Sequence, residues 1–135
     1  MGNGKLEPAR PLSPHLSIYR PMLTMMMSIA HRISGVANAT GFLLLAWWLV
    51  AIASGPEAYA TVSAVFASLP GQVLLFLFSW ALIHHMLGGI RHLIWDTGHA
   101  LDKTSIEVAA WATIIGSTLL TVLVWVAGYS LRGGA

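Results

Sequence analysis

Three long apolar stretches, at about 23–53, 72–95 and 106–131, occupy most of the 135-residue chain. Each is long enough to cross a hydrocarbon core of about 30 Å, which takes ~20 helical residues. Lipid offers no partner to open backbone groups, so segments of this kind are forced to be helical. The composition agrees, with 56% hydrophobic and only 9% charged residues, against roughly 25% charged in soluble domains. So few polar side chains cannot cover an apolar exterior, and lipid must be the solvent. The expected fold is an all-α membrane protein with three transmembrane helices. An N-terminal segment, 1–21, precedes a transmembrane domain over 22–131, with spans at about 23–53, 70–96 and 105–130.

Local signals punctuate these spans. Pro70 suits the first turn of the second helix, and Thr104 followed by Glu107 reads as a capping box for the third. Ser54, Pro56 and Glu57 open a short interfacial helix in the first loop, with Tyr59, Val62 and Phe66 on one side. His99, Asp102 and Lys103 read as ordinary loop residues. Lys5, Arg10 and Arg20 precede the first span, and Arg91 and Lys103 flank the second loop. The first loop has neither Lys nor Arg, and the C-terminus has only Arg132. The positive-inside rule then predicts a cytoplasmic N-terminus and a periplasmic C-terminus. Trp47, Trp48 and Trp125 fall toward the predicted outer ends, as an aromatic belt requires. Residues 1–21, with four prolines, lack the pattern of a cleavable signal peptide, so the first span is expected to direct insertion.

Cysteine is absent, which excludes disulfides and thiolate-held zinc or iron–sulfur clusters in this chain. A net charge of +2 spread over the sequence is no basic patch and argues against a nucleic-acid partner. Six histidines stand beside only seven Lys and Arg and five Asp and Glu. The commonest metal-ligating side chain is therefore abundant among few polar groups.

Ionisable residues within an apolar helix cost free energy unless they are paired or face a cavity, which makes each a functional candidate. One cluster is Ser28, His31 and Arg32, entering the first span. The second is His84, His85, Arg91, His92 and Asp96 on the second span. Antiparallel helices bring both clusters to the cytoplasmic side, where they can form one site. His85, Gly89 and His92 share a helix face, with the two histidines ~10 Å apart along the axis. Gly88 and Gly89 open the backbone between them, as a flat macrocycle would need, and a histidine on that face can offer nitrogen to iron. His84 lies about 100° away, in line with Gly88 and Arg91, and geometry alone leaves it open as the ligand. Arg32 cannot shed its charge and needs an anionic or strongly polar partner, such as a haem propionate or a quinone carbonyl, or else lipid phosphate. Ser28, one turn away, can donate to the same oxygen. The same residues also admit two other functions: a proton or anion path through the membrane, or an anchor whose polar groups only dock soluble subunits.

Two stretches resemble a known family. They are Arg10-Pro11-Leu12 through Leu16 and Leu23 to Ser28-Ile29-Ala30-His31-Arg32-Ile33-Ser34-Gly35, and His85-Met86-Leu87-Gly88-Gly89-Ile90-Arg91-His92-Leu93-Ile94-Trp95-Asp96-Thr97-Gly98. They are similar to the cytochrome b556 anchor subunits of succinate dehydrogenase, respiratory complex II. The resemblance implies a helical bundle completed by a second anchor subunit, with a flavoprotein and an iron–sulfur subunit as further partners. It implies haem b shared with the second anchor and ubiquinone as substrate, in a bacterial inner membrane. His85 matches the axial ligand, Ser28 and Arg32 the quinone site, and His31, Arg32 and His92 positions near the haem and its propionates. Arg91 and Asp96 are possible support, and the extra His84 departs from the motif. Such a chain contributes positioning and electrostatics and is not an enzyme alone.

Overall fold

The computed structural model describes His15 and residues 20–133. The Arg10 to Leu12 and Leu16 part of the first motif, like Lys5, lies outside the described residues. Four helices follow one another: α1 (Leu23–Ser54), α2 (Pro56–Ala67), α3 (Leu69–Asp96) and α4 (Lys103–Gly133). Helices α1, α3 and α4 coincide with the three apolar stretches and are long and apolar enough to cross a membrane. The short helix of the first loop is α2, on which Val62 is buried, Phe66 is half-buried and Tyr59 is exposed.

The helix ends refine the local reading. Ser54 does not cap α2: it closes α1, and its hydroxyl donates to the Val50 carbonyl at 2.8 Å. The break comes at Gly55, whose φ of 116° is a conformation L side chains rarely adopt, and Pro56 then starts α2. Ser68 accepts the Gly71 N–H at the start of α3, with Pro70 in the first turn as expected. The Thr104–Glu107 capping box does not form. Helix α4 begins earlier, at Lys103, and the Asp102 carboxylate accepts the Ser105 N–H at 2.9 Å. Asp102 is therefore the cap rather than a loop residue, because the earlier start places its carboxylate three residues before an otherwise open amide.

Helix α3 packs against the other three helices. Small side chains set the distances, as expected where lipid removes the hydrophobic drive between helices. Gly41 of α1 lies against the Phe78 ring, where a Cβ would overlap it. On α4, Ala110, Thr113, Ser117 and Thr121 form a buried stripe, with Ser117 and Thr121 fully enclosed. The Thr113 and Thr121 hydroxyls donate to the Ala109 and Ser117 carbonyls, so these polar groups are satisfied within their own helix. At the far end Tyr129 donates to Gln72 at 2.6 Å, Gln72 to the Phe66 carbonyl, and Trp125 to Ser79. Large apolar side chains such as Val36, Leu43, Leu123 and Leu131 point outward. The start of α1, the end of α3 and the start of α4 meet at the opposite end, where both polar clusters lie.

Candidate functional site

Helix α3 carries two stripes of chemistry. Ala81, His84, Gly88 and Arg91 recur at alternating spacings of three and four, and all are buried. His85, Gly89 and His92 form the adjacent stripe; His85 and Gly89 are half-buried and His92 is exposed. Neighbouring histidines therefore have different surroundings.

His84, only 2% exposed, points toward α4. The Ser117 hydroxyl donates to the Ile114 carbonyl, so it accepts from His84 Nδ1, 3.2 Å away. The Trp80 ring covers the other side at 4.9 Å, and His84 Nε2 is buried without a partner. This imidazole is thus enclosed between Trp80 and Ser117.

His85 points toward α1. Its Nδ1 lies 3.1 Å from the His31 carbonyl and 3.2 Å from the Ser34 hydroxyl, which itself donates to that carbonyl at 2.9 Å. The hydrogen bonds of His85 all run through Nδ1. A Cβ at Gly35 would stand 3.1 Å from its Cε1, so any side chain there would press on the ring. The His31 ring stacks on His85 at 4.0 Å with an interplanar angle of 2°. It sits against Gly88, where an added Cβ would lie 2.5 Å from its Nδ1. That Nδ1 is buried and has no hydrogen-bond partner. His92 follows, tilted against His31 at 5.4 Å and edge-on to Trp95 at 5.0 Å. Gly89, on the His85 stripe, has nothing within 4 Å of where a Cβ would be. The two glycines thus act differently: Gly88 seats an imidazole and Gly89 leaves a gap.

Arg91, one of the possible supporting residues, keeps the register with His84 and Gly88 that its spacing predicts. It lies on the His84 stripe at 5% exposure, its Nε has no partner, and its guanidinium rests over the Trp95 ring at 5.0 Å. It lines a cleft of about 220 Å³ between α3 and α4. Asp96 is exposed at the end of α3. Ser28 lines a larger cleft, about 820 Å³, with Met22, Met25, His92, Trp95 and Lys103. Arg32, one turn further along α1, is exposed and makes no ion pair or hydrogen bond among the described residues. Both clusters therefore meet at one end of the molecule, with Ser28 and His92 on one cleft.

Chemically, this end offers the imidazoles of His31, His85 and His92, the Arg32 guanidinium, which has no partner among the described residues, and the Ser28 hydroxyl. No group of three or more His, Asp or Glu converges as a bare ion would require, among the described residues. A single axial imidazole suits a metal already held in a planar macrocycle. The chain matches the family described as succinate dehydrogenase/fumarate reductase transmembrane subunit over residues 7–124. It is 43% identical over 114 residues to the succinate dehydrogenase cytochrome b556 subunit of Paracoccus denitrificans, covering 84% of this chain and 88% of that one. It is 36% identical over 117 residues to the cytochrome b556 subunit of Rickettsia conorii, covering 87% and 91%. The mitochondrial succinate dehydrogenase cytochrome B subunit of Schizosaccharomyces pombe is 37% identical over 115 residues, 82% of this chain and 64% of that one. The chain belongs to this family. As a succinate dehydrogenase transmembrane subunit it is a multi-pass membrane protein, and its three apolar helices supply the spans.

Within this succinate dehydrogenase subunit, sequence reading overlooked three partners: Ser34 and Gly35 at His85, and Ser117 at His84. Each is a small residue on another helix, where distance along the chain hides the contact. One signal was readable, since Thr113, Ser117 and Thr121 repeat every four residues and mark the face of α4 that turns inward.

Proposed function

We propose that this chain anchors succinate dehydrogenase in a bacterial inner membrane, holds haem b through His85, and forms part of the ubiquinone site through Ser28 and Arg32. The partners are the flavoprotein, the iron–sulfur subunit and a second anchor, which completes the bundle and supplies the other axial histidine. The N-terminus is cytoplasmic and the C-terminus periplasmic, so the polar end faces the soluble subunits.

The observation that carries this reading is the contrast between the adjacent histidines. His84 is enclosed against Ser117 and Trp80, whereas His85 commits only Nδ1 and sits one turn from the gap at Gly89. When bound, haem supplies one-electron redox chemistry. His31 and His92 continue from His85 toward the helix end, and together with Arg32 they are the groups suited to its propionates.

Ser28 and Arg32 act on the quinone. Electrons delivered by the iron–sulfur subunit build negative charge on the quinone oxygens. A guanidinium and a hydroxyl at this end stabilise that charge electrostatically. A cleft of about 820 Å³ beside Ser28 is within the size range of small-molecule sites.

The deciding experiment is an optical spectrum of the purified complex carrying single substitutions. His85→Ala is expected to remove the reduced b-type spectrum and His84→Ala to retain it. Equal loss from both variants rejects His85 as the ligand. A complex with no haem spectrum in wild-type form favours the proton- or anion-path function instead.

A further inference from the structure

We propose that Ser34 and Gly35 of α1 are positioning residues for His85: with the His31 carbonyl, they hold its protonated Nδ1 and set where the ring lies. The proposal rests on His85 being the haem ligand.

The three hydrogen bonds around His85 admit one arrangement. The His31 carbonyl can only accept, so the Ser34 hydroxyl proton goes to it at 2.9 Å. That leaves the Ser34 oxygen lone pairs facing His85 Nδ1 at 3.2 Å, while the carbonyl oxygen faces the same nitrogen at 3.1 Å. A bare lone pair on Nδ1 would be opposed by the carbonyl and would receive no proton from Ser34. Protonated, Nδ1 donates to both oxygens. Nε2 of the neutral ring is then the nitrogen with a lone pair, the form a metal binds.

Gly35 completes the cradle sterically. A methyl there would stand 3.1 Å from Cε1, and the ring already has His31 stacked on its face at 4.0 Å. The imidazole is thus confined by a missing side chain at one point and by an aromatic ring at another. Ser34 is 3% exposed, so no solvent competes for its oxygen. Outer hydrogen-bond partners of this kind orient a metal-bound histidine and raise its basicity.

The basicity gives the direction of the effect. An acceptor on Nδ1–H pushes electron density into the ring and favours oxidised iron, so losing one of the two acceptors, with the His31 carbonyl remaining, shifts the balance toward the reduced form. Ser34→Ala is expected to raise the haem midpoint potential in the intact complex and to weaken haem retention roughly 10-fold. Ser34→Thr, which keeps the hydroxyl, should bring the potential back toward wild type. Gly35→Ala keeps both acceptors but displaces the ring, and should change the electron paramagnetic resonance signature of the oxidised haem. An unchanged potential in Ser34→Ala overturns the role of the hydroxyl, as does failure of Ser34→Thr to restore it. If Ser34→Ala does not assemble, Gly35→Ala decides, and an unchanged signature there overturns the cradle. A haem that survives His85→Ala defeats the ligand assignment itself, separately from either result.

Discussion

At the residue scale, function turns on what surrounds a side chain more than on its identity. His84 and His85 are chemically the same, yet a step of about 100° around α3 sends one toward Ser117 and the other toward Ser34. Arg32 and Arg91 make a similar contrast. Arg91 is buried over Trp95, while Arg32 is exposed and has no partner among the described residues. An unpaired guanidinium at the edge of an apolar helix is suited to a ligand or a partner subunit. Arg32→Ala is therefore expected to lower quinone reductase activity at least 10-fold, with succinate oxidation by an artificial soluble acceptor retained. Assay of both activities on one preparation separates a quinone role from an assembly role. Equal quinone kinetics in the variant would remove Arg32 from the site.

At the element scale, the spanning helices combine a lipid-compatible exterior with narrow inward stripes, one on α4 and two on α3. The stripes are built from small or polar residues, because close backbone approach and interhelical hydrogen bonds replace hydrophobic burial in lipid. Helix α4 also depends on its first turn. The Asp102 carboxyl is held below the ordinary carboxylate range, first by the hydrogen bond from the Ser105 side chain and then by that from its backbone N–H. A lowered pKa means that the folded state prefers the charged form, so the cap acts in full above the ordinary carboxylate pKa and is lost as pH falls through the lowered one. Hydrogen exchange at the Ser105 amide, corrected for intrinsic rates, should show protection falling in acid. Asp102→Asn keeps an accepting oxygen without a titrating group and should flatten that dependence; Asp102→Ala should lose protection at every pH. Full protection in the alanine variant would show that the cap contributes nothing.

At the scale of the whole molecule, the polar end and the aromatic end must face opposite sides of the membrane. The chain has no cysteine, so single cysteines can report this without background. A cysteine at His99, in the turn between α3 and α4, should react with an impermeant thiol reagent only in inside-out vesicles. One at Ala58, on α2, should react only from the periplasmic side. The reverse pattern would invert the proposed topology and place the proposed quinone cleft away from the soluble subunits.

Much of this was legible in the residues themselves. Helical spans follow from apolar length, because lipid leaves the backbone no alternative, and the pairing of His85 with Gly89 and His92 follows from helical periodicity. Other features depended on the other helices. Which histidine is enclosed, which glycine is filled, and how deeply Arg91 is buried are decided by α1 and α4 packing against α3. Likewise Asp102 became a cap only because α4 starts at Lys103 rather than later. Periodicity assigns residues to a face of one helix; only the packing of helices gives each face a neighbour, and the neighbour determines which nitrogen remains free to bind.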